Sequence, residues 1–287
     1  MDLLLPQVGG NARATNTDYT NGKLGELIDV VIAGGAKLFV SAVGVPPLWV
    51  VEKLHAAGIL YANIVGAPHH AHKACKLGAD LIIGQGGEAG GHTGEIPFSV
   101  LIPSLADALK GYKSPITGGP VGLVAGGGVV DGRSVAAAIM LGAGAVWVGT
   151  RFVGAKESGA SEYGKQTLAK AGFNDVIRTT IFTGRPVRHF ATPYIRDWEE
   201  RRLEEQKELL KKGKVPLQWE FDRLEKEGKT QEIEKIEEQI VFMPMGYAAG
   251  MVNKVNQPAG EIVREMVEEA YQLLNGAKNY VGSSSKL

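Results

Sequence analysis

A single cysteine, Cys75, is all that the 287 residues contain. No internal disulfide can form, and the chain reads as a protein of a reducing compartment. Charge of one sign is also missing: Lys plus Arg total 31 and Asp plus Glu total 31. That balance removes the global basic field expected of a nucleic-acid or anionic-membrane binder. No apolar run approaches the ~20 residues of a membrane-spanning helix. The first residues do not read as a basic-then-apolar signal peptide. No glycine turn after an apolar run carries a Walker-type Gly-Lys-Ser/Thr, which argues against a nucleoside triphosphate.

Glycine is what the chain has in excess, at 39 residues, well above the usual ~7%. The glycines punctuate short apolar runs. Six such runs, near residues 3, 38, 61, 81, 123 and 146, read as strands. Most are continuously apolar, as strands buried on both faces of a parallel sheet or barrel are. Between them lie helical patterns. Leu24, Leu27, Ile28, Val31 and Ile32 form an i, i+3, i+4, i+7, i+8 stripe. Pro46 and Pro47 open a helix whose expected buried face is Leu48, Val51 and Leu54. Further helices are expected over 68–77 and through Val100–Leu109, and Asp131 is placed to cap one through Leu141. Alternating strands and helices predict an α/β fold, a TIM-type (β/α) barrel.

The later part is less regular. Val176–Phe182 reads as an additional strand, and 197–214 and 217–239 as charged helices in a surface hairpin. Ile233, Ile236 and Ile240 mark the apolar face of the second. The chain therefore divides into a partial barrel over 1–196, a charged helical insertion over 197–240, and a C-terminal helix with a flexible tail over 241–287. The tail ends Ser285-Lys286-Leu287, the form of a peroxisomal address; a frayed tail is the alternative.

Candidate chemistry follows the strands. The fourth run leads into Gly84-Gln85-Gly86-Gly87-Glu88-Ala89-Gly90-Gly91-His92-Thr93-Gly94. Glycine-rich backbone beside one titratable ring suits a cofactor or substrate loop. Gly84, Gly86 and Ala89 fit a dinucleotide fingerprint, but weakly, because no helix opens inside the motif. Gly126-Gly127-Gly128 and Gly149-Thr150 end the fifth and sixth runs, each before a helix. Barrels keep phosphate sites after their last two strands, so these turns read as a phosphate cradle. His69, His72 and Cys75 share a helical spacing without further convergent ligands, so no metal site is expected. His55 and His189 have no readable context.

Taken together, Gln85-Gly86 to Gly90-Gly91-His92, Ala125 to Gly128, Asp131-Gly132-Arg133, Gly149-Thr150-Arg151-Phe152 and Pro258-Ala259-Gly260-Glu261-Ile262-Val263 resemble the nitronate monooxygenase (2-nitropropane dioxygenase) family. The resemblance implies an FMN-dependent barrel that oxidises alkyl nitronates with molecular oxygen. It implies that His92 is the active-site histidine, as a base toward the carbon acid or as an anchor for the nitronate. Gly127, Gly128, Gly149 and Thr150 would then hold the FMN phosphate, and Gln85 would lie in the flavin pocket. A flavin-dependent enoyl reductase and a flavin-free truncated remnant with a binding or structural role are the alternatives. The family's first two strands have no counterpart here, and the run at Asp2–Pro6 is similar to its third. The expected barrel is thus incomplete, with six of eight strands and two open edges, which self-association would cover.

Overall fold

The computed structural model describes residues 1–8, 12–240 and 243–280. Its main sheet has six parallel strands: β1 (Asp2–Leu4), β2 (Leu38–Ala42), β3 (Leu60–Val65), β4 (Leu81–Gln85), β6 (Gly122–Gly126) and β7 (Ala145–Trp147). They pair in that order, each with the next. These are the six apolar runs of the sequence. Phe39, Tyr61, Ile82 and Leu123 point from the strands into a core shared with the flanking helices. Val40, Ala62 and Ile83 point the other way and form a second buried cluster. Both faces therefore demand apolar residues, which is why the runs do not alternate.

No pairing joins β1 to β7 among the described residues, so the sheet curls without closing. The outer strands carry the consequence: Leu4 is 38% and Trp147 is 42% exposed. No helix among the described residues is long and apolar enough to cross a membrane.

Most expected helices form. Residues Leu24–Ala33 bury Ile28 and Val31. Pro47 precedes Leu48–Ala56, where Val50, Val51 and Leu54 are buried but Leu48 is exposed. Leu48 is the first helical residue and lies beyond the turn that packs. Asp131 caps Gly132–Met140 as expected: its side chain accepts from the Ser134 amide at 3.0 Å, and the Ser134 hydroxyl accepts from the Asp131 amide at 3.0 Å. Two orphan amides are satisfied reciprocally.

The later part departs from expectation in detail. Val176–Phe182 supplies only the four residues Val176–Thr179, here β8, and outside the barrel sheet. It pairs antiparallel with β9 (Val187–Phe190), which pairs in turn with the two-residue β5 (Gly91–His92). The expected helix over 197–214 is two, Pro193–Glu200 and Leu203–Lys211, so residue 197 lies inside a helix. The chain turns there because Arg202 stacks on Trp198 at 3.5 Å and pairs with Glu220 at 3.0 Å. Residues 217–239 likewise divide into Pro216–Lys226 and Thr230–Gln239, separated at Gly228, whose φ is +69°. Ile233 and Ile236 are the least exposed residues of the latter helix's interior. Ile181, Ile195, Trp198 and Leu209 give this helical region a core of its own. Ser285-Lys286-Leu287 lies outside the described residues.

Candidate active site

The carboxyl ends of the strands meet in one cleft of about 1380 Å³. Gln85, the last residue of β4, and His92 both line it. Parallel α/β sheets place their sites at this end.

His92 is held by elements far apart in the chain. Its backbone pairs with Val187 of β9, and that of Gly91 with Arg188. The turn before β9 then brings Thr183 to the ring, with 2.8 Å between Nε2 and the Thr183 hydroxyl. Either the hydroxyl donates to Nε2 or the ring N–H donates to the hydroxyl, according to the tautomer. Burial, and then the nearby Arg185 charge, push the His92 pKa below that of a free histidine. The ring is therefore neutral at neutral pH, the form that accepts a proton.

The loop that carries His92 is tied down along its length. The Gly86 amide donates to the Gly126 carbonyl at 2.8 Å, the Gly87 amide to Ile96 at 2.8 Å, and the Tyr247 amide to the Glu88 carbonyl at 3.0 Å. The Glu88 carboxylate accepts from the Phe98 amide at the start of helix Phe98–Ala108. Arg188 donates to the Gly87 carbonyl at 2.8 Å and stacks on Tyr247 at 4.1 Å. No helix opens within the motif, in keeping with its weak fit to a dinucleotide fingerprint.

The two other glycine turns come together because β6 and β7 are neighbours. Gly127 and Gly128 sit at φ +82° and +79°. At Gly127 an added β-carbon would lie 2.7 Å from the Gly86 carbonyl oxygen, so the absence of a side chain there serves the fold. Gly149 differs: its φ is −102°, and an added β-carbon would meet nothing within 4 Å. Open space lies in front of it, at the start of the short helix Thr150–Val153. The Thr150 hydroxyl accepts from the Gly246 amide at 3.0 Å and keeps its own proton to donate. These four residues do not line the large cleft, but Trp147, two residues before Gly149, does.

Of the other histidines, His70 also borders the cleft, and His55, His72 and His189 do not. His55 bonds the buried Asp80 at 2.9 Å, before the start of β4 and so at the opposite end of the sheet from the cleft. His189 is fully buried, and its Nε2 accepts from the Met243 amide at 2.6 Å. His72 reaches the Tyr112 hydroxyl at 3.3 Å, and burial pushes the Cys75 thiol up to about 11. Among the described residues no three His, Cys, Asp or Glu side chains are grouped to hold a metal ion.

Sequence reasoning missed Thr183, Arg185 and Arg13. All three belong to the cleft region only through contacts between distant turns.

Comparison with known proteins bears on the family and the fold. A hydroxy-methyl-oxo-octahydroindene-carboxyl-CoA dehydrogenase of Mycobacterium tuberculosis is 36% identical over 191 residues, covering 67% of this chain and 50% of that protein. A nitronate monooxygenase of Neurospora crassa is 31% identical over 240 residues, covering 77% of this chain and 56% of that protein. The chain spans about half the length of the curated relatives it matches. A solved nitroalkane oxidase of Streptomyces ansochromogenes shares the fold, with a TM-score of 0.69 at 23% identity over 96% of this chain and 81% of that one. Residues 6–269 match the nitronate monooxygenase family as a whole, and the chain belongs to that family of oxidoreductase enzymes.

Proposed function

We propose that this chain carries the flavin site and the catalytic histidine of an enzyme that oxidises alkyl nitronates with molecular oxygen, using FMN. The carrying observation is the His92 ring, neutral and fixed by Thr183, in a cleft at the carboxyl ends of the strands. FMN, when bound, supplies the electron-transfer chemistry. The residues fit its phosphate. Gly149 leaves open space where any other residue would place a side chain. The first amides of a helix have no intrahelical partner and suit an anion. Gly127, Gly128, Gly149 and Thr150 would hold the phosphate and Gln85 would border the flavin ring. His92 would take a proton from the carbon acid or hold the nitronate oxygens.

A second reading, reduction or dehydrogenation of an acyl thioester, has one specific observation behind it. The CoA-ester dehydrogenase is the more identical of the two named relatives, at 36% against 31%. The visible spectrum of the purified chain tests the flavin; a colourless protein that takes up no added FMN contradicts both readings and favours a flavin-free role. Oxygen consumption with an alkyl nitronate, against NADH oxidation with an enoyl thioester, then separates the two. The proposal includes self-association over the open edges of β1 and β7, which sedimentation at rising protein concentration tests. It also includes peroxisomal delivery through Ser285-Lys286-Leu287. Diffuse signal from a fluorescent protein carrying residues 278–287 at its end would contradict that part.

A further inference from the structure

The turn at Arg13–Asn16 and the turn at Thr183–Pro186 interlock. A β-carbon on Gly184 would lie 2.3 Å from the Thr15 hydroxyl oxygen, so the Thr15 side chain packs directly on the Gly184 backbone. Arg13 donates to the Gly184 carbonyl at 3.3 Å, and Arg185 donates through Nε to the Asn16 side-chain oxygen at 3.0 Å. Both arginines line the same cleft as His92. Both are anchored by neutral acceptors. Among the described residues neither has a carboxylate within salt-bridge distance, whereas Arg178 on the same cleft is paired with Glu95 at 2.9 Å.

Two guanidiniums held together without a counter-charge are costly to keep close. Burial and the neighbouring Arg13 both push the Arg185 pKa down, which places the two charges in each other's field. Each guanidinium offers five N–H donors and uses one in the bonds above, and the fork geometry of the others suits an oxyanion. The arrangement has the charge, the donors and the position of an anion subsite beside a proton acceptor.

We propose that Arg13 and Arg185 form an oxyanion subsite of the His92 cleft that binds a carboxylate or phosphate carried by the substrate itself. The inference rests on the reading of the cleft as the substrate site. It makes the substrate an anionic compound rather than a plain nitroalkane, and gives the two arginines a positioning role. The turn at Thr183–Pro186 couples the subsite to the chemistry, because it holds the His92 ring through Thr183 and the anion through Arg185.

The test uses the full chain and no turnover, so its outcome is independent of whether nitronates are oxidised. Inorganic phosphate and propionate are titrated at constant ionic strength, with propionamide as the neutral isostere. Calorimetry reads binding and the His92 ring resonances locate it. Saturable binding of either anion with a shift at His92, weakened roughly tenfold or more in Arg13→Gln and in Arg185→Gln, is the expected result. Preference for phosphate points to a phosphoester substrate, and preference for propionate to a carboxylate. Arg185→Lys keeps the charge and retains part of the binding, which guards against loss of fold in the glutamine variant. Absence of saturable binding by the unmodified chain overturns the proposal. So does binding that survives unchanged in both glutamine variants, or that leaves the His92 resonances unmoved.

Discussion

Two glycine turns flank the candidate site, and their glycines are there for opposite reasons. In the loop before His92, an added β-carbon at Gly90 would lie 2.7 Å from the Gly246 nitrogen, and one at Gly87 would lie 2.9 Å from the Glu95 carbonyl oxygen. That loop is glycine-rich because the protein's own backbone crosses it closely. At Gly149 nothing stands within 4 Å and the backbone is not left-handed. Neither close packing nor a left-handed backbone demands glycine there, so the position has room for a ligand group. A glycine-rich stretch is thus not evidence of a ligand by itself; the surroundings of each glycine decide which meaning it has.

The sharpest consequence concerns what the packed loop presents. If it is a scaffold for His92, His92→Asn removes the proton acceptor while the scaffold stays. General-base catalysis typically contributes ~100- to 10,000-fold, so turnover on neutral nitroalkane should fall by that order while pre-formed nitronate retains more. Equal loss on both substrates assigns His92 to anion binding, and no loss on either removes it from the mechanism.

Next in size is the cost of filling the packed loop. Gly90→Val drives a side chain into the backbone at Met245 and Gly246. Overpacking of this kind costs about 1–3 kcal/mol or more, to be read as a lower denaturant midpoint. Gly149→Val should cost only about 1 kcal/mol, the order expected when a poor N-cap replaces glycine. Equal destabilisation by the two substitutions would erase the distinction drawn between the turns.

The smallest effect is on the acid side. Burial lowers the pKa values of His92 and His189 below the free value. Protonating His189 also breaks its acceptance of the Met243 amide at 2.6 Å. The unfolded chain therefore takes up these protons first, near the ordinary histidine pKa of ~6.5. Stability is full above that pH and declines as pH falls from there toward the folded-state values. Urea midpoints at about pH 7.5 and about pH 5.5 read the decline, and His189→Gln should flatten it. An unchanged pH dependence in that variant would remove His189 from the account.

Much of the fold was legible because the barrel strands are buried on both faces and so read as unbroken apolar runs. The Asp131 cap was legible from its local spacing. The strand Val187–Phe190 was not, because Arg188 and His189 interrupt the pattern, and their burial is compensated by partners at Gly87 and Met243. The break between Glu200 and Leu203 was hidden for a similar reason: the stacking of Arg202 on Trp198 and its pairing with Glu220 are not periodic signals. Of the cleft residues, Gln85 at the end of β4 and His92 in the loop after it were visible. Thr183, Arg185 and Arg13 meet it across gaps of 91 residues, from His92 to Thr183, and 171 residues, from Arg13 to Gly184. No local pattern encodes such contacts.

The claim that Gly149 is open for a ligand, and that the ligand is the phosphate of FMN, is tested most directly by titrating FMN into the unmodified chain and into Gly149→Val, following flavin fluorescence. The account predicts saturable binding by the first, and no binding by the second at a circular-dichroism melt within a few degrees of the first. Wild-type affinity in the folded Gly149→Val variant would contradict it, as would an unmodified chain that binds no FMN.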